Sequence, residues 1–190
     1  MTETTNVAVL GLAAWQLMGV DRLFRHAGAD GTHRICLDVP VDASPERTFD
    51  AIRDLGRIAD HTPALHHSSL RDGAAPGVGA VRQCEDHRGR RWAERCTRLD
   101  HARLELDFLT HEPGFPYPFE TMSGGWKVEP REGGATVRVW WVVTPKHRWL
   151  APVFLPVMVA GLRHDVPPVI ASLAGDSSPS RRGEPRAAVC

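Results

Sequence analysis

Gly89-Arg90-Arg91-Trp92-Ala93-Glu94-Arg95-Cys96-Thr97-Arg98-Leu99 alternates like a β-strand, and its two faces differ in kind. With a side-chain period of two, Arg91, Ala93, Arg95 and Thr97 share one face, and Trp92, Glu94, Cys96 and Arg98 share the other. Trp and Cys are mostly buried residue types, so the second face is expected to point inward. It takes a carboxylate and a guanidinium with it, and an unpaired interior charge costs several kcal/mol. Either each charge has a structural partner, or the face lines a cavity that holds a polar ligand.

Outward from this strand the pattern repeats. His33–Val41 alternates Ile35, Leu37, Val39 and Val41 on one face, which reads as the first strand. Ser44-Pro45-Glu46 starts a helix with an N-cap candidate, a first-turn proline and an acid, and Phe49 and Ile52 form its buried stripe. A second short helix is expected from Leu55 to Asp60, stopping before Pro63. Strand-like segments follow at Leu65–Arg71, Val78–Asp86, Arg90–Leu99, Arg103–His111, Phe119–Glu129 and Ala135–Thr144. Asp72-Gly73, Arg88-Gly89, Asp100-His101, Pro113-Gly114 and Gly133-Gly134 separate them as turns, so the six form an antiparallel meander. Trp149–Leu173 reads as a long helix with Leu150, Phe154, Val157, Gly161 and His164 along its inward stripe, broken or kinked at Pro167-Pro168.

The resulting fold class is α+β: a seven-stranded curved antiparallel sheet around a long C-terminal helix, with two short helices after the first strand. Such a sheet buries its concave face against the helix and encloses a cavity suited to an apolar ligand. The domain runs over 33–174. Residues 1–32 form an extension and 175–190 a Ser, Pro, Gly and Arg-rich tail expected to be disordered.

With 190 residues and zero formal net charge, the chain fits one domain and carries no basic field for nucleic acid. Only Lys127 and Lys146 are lysines, so the arginine surplus looks like codon bias and is weak evidence for phosphate binding. Cys36, Cys84, Cys96 and Cys190 lack zinc-type spacing and are expected to be free thiols. His61, His66 and His67 cluster without metal-ligand spacing, so no metal site is expected. Val7–Val20 is apolar apart from Gln16, but its 14 residues fall short of the roughly 20 that cross a bilayer. The preceding residues lack a basic group, which disfavours a signal peptide. This segment could dock on the domain, pack a homodimer or touch a membrane. The expected location is cytoplasmic or peripheral to a membrane.

The element order resembles the Bet v 1-like helix-grip superfamily, in particular its polyketide cyclase/dehydrase and lipid-transport branch. The resemblance covers about 33–174. It rests on Val78-Gly79-Ala80-Val81-Arg82, on Trp92-x-Glu94, and on Met122-Ser123-Gly124-Gly125-Trp126-Lys127-Val128-Glu129-Pro130 followed by Gly133-Gly134. It implies a cofactor-free cyclase, aromatase or dehydratase acting on a hydrophobic, polyketide-like substrate, which an acyl carrier protein could present. The alternative is a non-catalytic carrier of a lipid or quinone. By analogy with aromatase/cyclases, Arg98 would be the cavity arginine of the fourth strand, and Trp92 and Trp126 cavity tryptophans. Ile58 and Leu65 stand where those enzymes have an aromatic residue and a tyrosine, and Glu94 replaces another tryptophan.

Three residues are candidates for chemistry. Arg98 would stabilise a developing oxyanion, or pair with Glu85 or Asp86. Glu94, desolvated in a cavity, would act as general acid or base, or form a structural pair. About 13 Å separates these two along a strand, too far for direct pairing. His164 would shuttle a proton from the helix. Trp92, Cys96, Leu65, His66, Phe108, Met122, Trp126, Trp141 and Val157 are the expected substrate-binding surface.

Overall fold

The computed structural model describes residues 31–110, 115–175 and 186–188. The first strand, β1 (His33–Val41), buries Ile35, Leu37, Val39 and Val41 as its alternation requires. Ser44 caps α1 (Pro45–Arg53): its Oγ accepts from the Arg47 N–H at 3.3 Å, and Pro45 occupies the first turn, where no N–H is needed. Thr48, Phe49 and Ile52 turn inward from this helix. A 3-10 turn over Leu55–His61 follows.

Six strands come next: β2 (His67–Leu70), β3 (Val81–Glu85), β4 (Arg91–Asp100), β5 (Glu105–Thr110), β6 (Phe119–Arg131) and β7 (Gly134–Pro145). Each pairs antiparallel with the next, and β1 closes on β7. The long helix α2 (Ala151–Ala174) packs against β1, α1 and the 3-10 turn. This is the helix-grip arrangement that the sequence implies.

Two clusters fill the space between sheet and helix. In one, Val39, Val41, Phe49, Leu106, Phe108, Trp126, Val137 and Val139 meet Val169, Ile170 and Leu173 from the C-terminal half of α2. In the other, Ile35, Phe115, Phe119 and Val143 meet Ala151, Leu155 and Val159 from its N-terminal half. Trp92, Tyr117 and Phe154 extend the second cluster into an aromatic plug, with Trp92 edge-on to both Phe115 and Tyr117.

Several elements depart from the sequence reading. The Pro167-Pro168 pair does not break α2, which contains both and also Pro156. Pro167 and Pro168 each remove one i→i−4 hydrogen bond. Buried Val169, Ile170, Leu173 and Ala174 anchor the last turns all the same, and Gly175 at φ 76° closes the helix in the left-handed region. The inward stripe of α2 is Ala151, Leu155, Val159, Val169 and Ile170, not the Leu150–His164 series. The first half of α2 is apolar all round, so periodicity alone could not choose a face. β2 starts at His67, which leaves Leu65 and His66 in the preceding loop. Within the tail expected to be disordered, Arg186–Ala188 forms β8, a short edge strand on β1. Cys84 and Cys96 are free thiols, whereas Cys36 is disulfide-bonded. The apolar stretch Val7–Val20 lies outside the described residues.

Gly124 and Gly125 show how closely the sheet is packed. A Cβ at Gly124 would fall on the Trp140 carbonyl oxygen and the Phe108 ring; one at Gly125 would fall on the Trp140 ring and the Leu106 carbonyl. Backbone atoms cannot yield as a flexible side chain can. Gly125→Ala is therefore expected to lower unfolding free energy by about 1–3 kcal/mol. Gly77→Ala, where an added Cβ meets nothing within 4 Å, is expected to leave it nearly unchanged. Urea titration of both variants checks the difference.

Candidate functional site

A tight turn between β3 and β4 builds the site. Asp86 Oδ1 accepts from the backbone N–H of Arg88 at 2.9 Å and of Arg90 at 3.0 Å, and its Oδ2 accepts from Arg90 Nε at 2.7 Å. Burial would raise the Asp86 pKa, but the hydrogen bonds from Arg90 and Arg88 bring it below the usual carboxylate value. The turn sets the register of the hairpin, with Glu85 opposite Arg91, Cys84 opposite Trp92 and Arg82 opposite Glu94.

Arg82 and Glu94 consequently meet inside the molecule, at 7 % and 6 % exposure. An Arg82 Nη2 donates to Glu94 Oε2, and the indole Nε1–H of Trp92 donates to Glu94 Oε1 at 2.9 Å. Burial pulls the guanidinium pKa down, but the Glu94 charge and the nearby Cys84 outweigh it, so the net direction is up. The Cys84 thiol is pushed up to about 12, by burial first, with Arg82 opposing and Glu94 adding to the rise. Burial also raises the Cys96 thiol. Neither cysteine is set up as a nucleophile.

The pair stands in a cleft lined by Arg53, Leu70, Ala80, Cys96, Leu106 and Phe108, with Pro76 and Gly77 at its edge. The empty space, open mouth included, is about 340 Å³, of which about 30 Å³ can take the centre of a water molecule. One water needs about 10–15 Å³ of such space, so the closed interior has room for only a few waters. Toward the N-terminal half of α2, the aromatic plug packs against the second core cluster.

The expected site residues do not all converge here. Glu94, Cys96 and Phe108 line the cleft, and Trp92 reaches it through Glu94. Leu65, Met122 and Trp141 are half-buried against the core, and Trp126 lies within it at 6 % exposure. His66 is exposed and lies beside His87, with ring centroids 5.6 Å apart and the rings tilted at 58°. Val157 and His164 are both exposed on the outer side of α2, so neither meets a ligand in the cleft.

Arg98 is the main correction. A β-bulge between Cys96 and Arg98 inserts Thr97, so Cys96 opposes the buried Phe108 whereas Arg98 opposes Asp107. One extra residue moves every later side chain to the other face. Inward alternation resumes at Leu99, opposite the buried Leu106, and Arg98 turns outward. There its guanidinium pairs with Glu105 at 3.1 Å, with Asp107 and Asp100 at 3.8 and 3.9 Å. These carboxylates, rather than Glu85 or Asp86, are its partners.

Arg82 holds the interior position that the sequence reading gave to Arg98. A signal for it was present. An antiparallel hairpin that turns at Arg88 pairs residues equidistant from that centre, which places Arg82 across from Glu94. Among the described residues no group of three or more His, Cys, Asp or Glu could hold a metal ion.

Removing one partner of a buried pair strands the other charge. Arg82→Met is expected to destabilise by about 3–5 kcal/mol, and Arg82→Met/Glu94→Leu to recover most of that loss, as chemical denaturation would show. On the outer face, burial and Glu105 raise the Asp107 pKa despite Arg98 and Arg34. A carboxyl with a raised folded-state pKa favours folding only while protonated, and the benefit is lost as pH rises through that pKa. Asp107→Asn should accordingly raise Tm at pH 7 and bring little gain below the carboxylate range.

Comparison with solved structures places this geometry among helix-grip proteins. The fold matches Ara h 8.0201 with a TM-score of 0.58 and 18% identity, covering 76% of this chain and 97% of that one. It matches the ZhuI aromatase/cyclase of a Streptomyces species with a TM-score of 0.57 and 14% identity, over 75% and 93% of the two chains. A putative uncharacterized protein from Bacillus thuringiensis gives 0.56 and 15%, over 75% and 98%. No curated protein matches the chain in sequence. The family model for polyketide cyclase/dehydrase and lipid transport matches residues 32–175, and the chain belongs to that family.

Proposed function

We propose that the chain binds a hydrophobic, oxygen-bearing molecule of polyketide type in the cleft and catalyses its cofactor-free cyclisation and dehydration. The observation that carries this reading is the Arg82–Glu94 pair, a buried cation and a buried carboxylate in a cleft whose other lining residues, Arg53 apart, are uncharged and mostly apolar. Carriage of an inert lipid needs only an apolar sleeve, whereas converging polar groups suit chemistry.

In the proposed reaction Glu94 takes a proton from a carbon between two ketones. The resulting enolate carbon attacks a second carbonyl carbon of the same chain, forming one C–C bond. Arg82 donates hydrogen bonds to the alkoxide that develops on that carbonyl oxygen, and protonated Glu94 returns the proton to it. Loss of a second α-proton with the new hydroxyl releases water and leaves a double bond. The closed cleft is too small for such a substrate, since ligand pockets run to about 300–1,000 Å³. On this reading the segment 71–80, which is largely exposed and supplies Pro76, Gly77 and Ala80 to the rim, moves aside on binding.

The second reading, non-catalytic carriage of a lipid- or quinone-like molecule, draws on the pairing itself. Arg82 and Glu94 are already bonded to one another. The test is incubation with a short thioester of a linear poly-β-ketone, followed by mass spectrometry for loss of water. Glu94→Gln, which keeps the shape and a hydrogen-bonding oxygen, should lower turnover at least about a hundredfold with binding retained. Arg98→Ala should turn over at the parent rate. Equal rates for Glu94→Gln and the parent would overturn the catalytic reading, and binding without any turnover would favour the carrier.

A further inference from the structure

The outer side of α2 carries an apolar stripe that the fold itself does not use. Trp149, just before the helix, is 76 % exposed, and Val153 and Val157 are 66 % and 71 % exposed. Ala160 and His164 continue the same helical line, also exposed. Monomeric proteins rarely leave large aromatic and branched side chains aligned in this way without a partner.

The charges around the stripe indicate what that partner is. From Lys146 to His164 there is no Asp or Glu, while Lys146 and Arg148 precede the stripe and Arg163 flanks its far end. Apolar side chains framed by cations on one helix face are the pattern that lies in the headgroup layer of an anionic bilayer. Arg148–Ala174 is long and apolar enough to span a membrane, but its inner face is committed to the core through Leu155, Val159 and Ile170. It therefore has only its outer face to offer.

The beginning of the described chain points the same way. Gly31, where the described chain begins, lies beside the Arg148 side chain at the start of the stripe. Ten residues, 21–30, separate that point from Val7–Val20 and can span up to about 35 Å, against about 16 Å for the stripe from Trp149 to Ala160. A segment apolar on all sides would cover the stripe and still expose an apolar side of its own. Lipid satisfies both.

We propose that the outer face of α2, from Trp149 to Arg163, seats the protein on an anionic lipid surface. The proposal concerns the opposite side of α2 from the core and does not depend on the chemistry of the cleft.

The test uses the full chain and co-sedimentation with vesicles of equal parts phosphatidylcholine and phosphatidylglycerol, compared with phosphatidylcholine alone. Binding is expected to favour the anionic vesicles and to weaken as salt rises. Val153→Asp/Val157→Asp should weaken it by on the order of tenfold or more, because the apolar contribution is lost. Arg163→Gln should weaken it about fivefold on anionic vesicles only. Val78→Asp is the control, since Val78 is equally exposed, at 66 %, but lies elsewhere. It should bind as the parent does. All four substitutions replace exposed side chains, and matching thermal transitions would establish that the three variants fold. Unchanged vesicle binding by the double variant would overturn the proposal. So would a parent protein that ignores vesicles but forms a dimer that the double variant loses, which would assign the stripe to a second copy. A stripe that binds lipid only after residues 1–30 are removed would also overturn it, in favour of the N-terminal segment as its cover.

Discussion

The interior of this domain is organised around one buried ion pair. Taking Arg82 and Glu94 out of water costs several kcal/mol per charge, and their close mutual contact, with the Trp92 hydrogen bond to Glu94, works against that cost. That contact exists because Asp86 gathers the N–H groups of Arg88 and Arg90 and fixes where the hairpin turns. A slip of one residue in either strand would turn that strand's charge to the outer face and leave the other charge buried without its partner, an arrangement the apolar core could not accept. Trp92 is bound to the same carboxylate, so its ring is held where Phe115 and Tyr117 meet it edge-on. One polar contact thereby sets the end of the aromatic plug and the floor of the cleft.

The fold was legible because its signals are local and repeated. β1, β4 and β7 lie within a residue or two of their expected bounds, since alternation and Gly-containing turns act over a few residues. The Ser44 cap and Pro45 likewise mark the start of α1 from sequence alone. What failed was any inference that carried a period through a defect. The two-residue alternation of β4 held for Trp92, Glu94 and Cys96, and the bulge at Thr97 then reversed it for Arg98. Nothing in Cys96-Thr97-Arg98 signals a bulge, because the extra residue answers to the pairing with β5 rather than to local preference. On α2 the difficulty was the reverse, a surplus of signal: with apolar residues on every side, packing and not periodicity selects the buried face. His164 and Val157 were lost from the site for that reason.

The same contrast separates the two arginines of the site region. Arg98 sits among Glu105, Asp107 and Asp100 on the outer surface, where solvent screens each pair and the net contribution is small. Arg82 meets the Glu94 carboxylate with almost no solvent around it. A guanidinium remains charged in either setting, but only in the second does it act in a medium of low effective dielectric. Position on the strand, not residue type, decides which of them faces the cleft.

On the proposed reading, the pairing of Arg82 with Glu94 is itself a selectivity device. A purely hydrocarbon ligand entering the cleft would meet a carboxylate and a guanidinium that it cannot contact, and would gain only from burial against Leu106 and Phe108. A ligand that brings an oxygen close to Arg82 can share a donor with Glu94 at little desolvation cost, because both groups have already left water. As charge develops on that oxygen it competes better for the guanidinium, and the carboxylate it displaces becomes a stronger base. Stabilisation then grows toward the transition state rather than being spent on the ground state, which is the condition for binding energy to raise a rate. An apolar cleft with an unpaired arginine would instead bind anions tightly and gain less as the reaction proceeds.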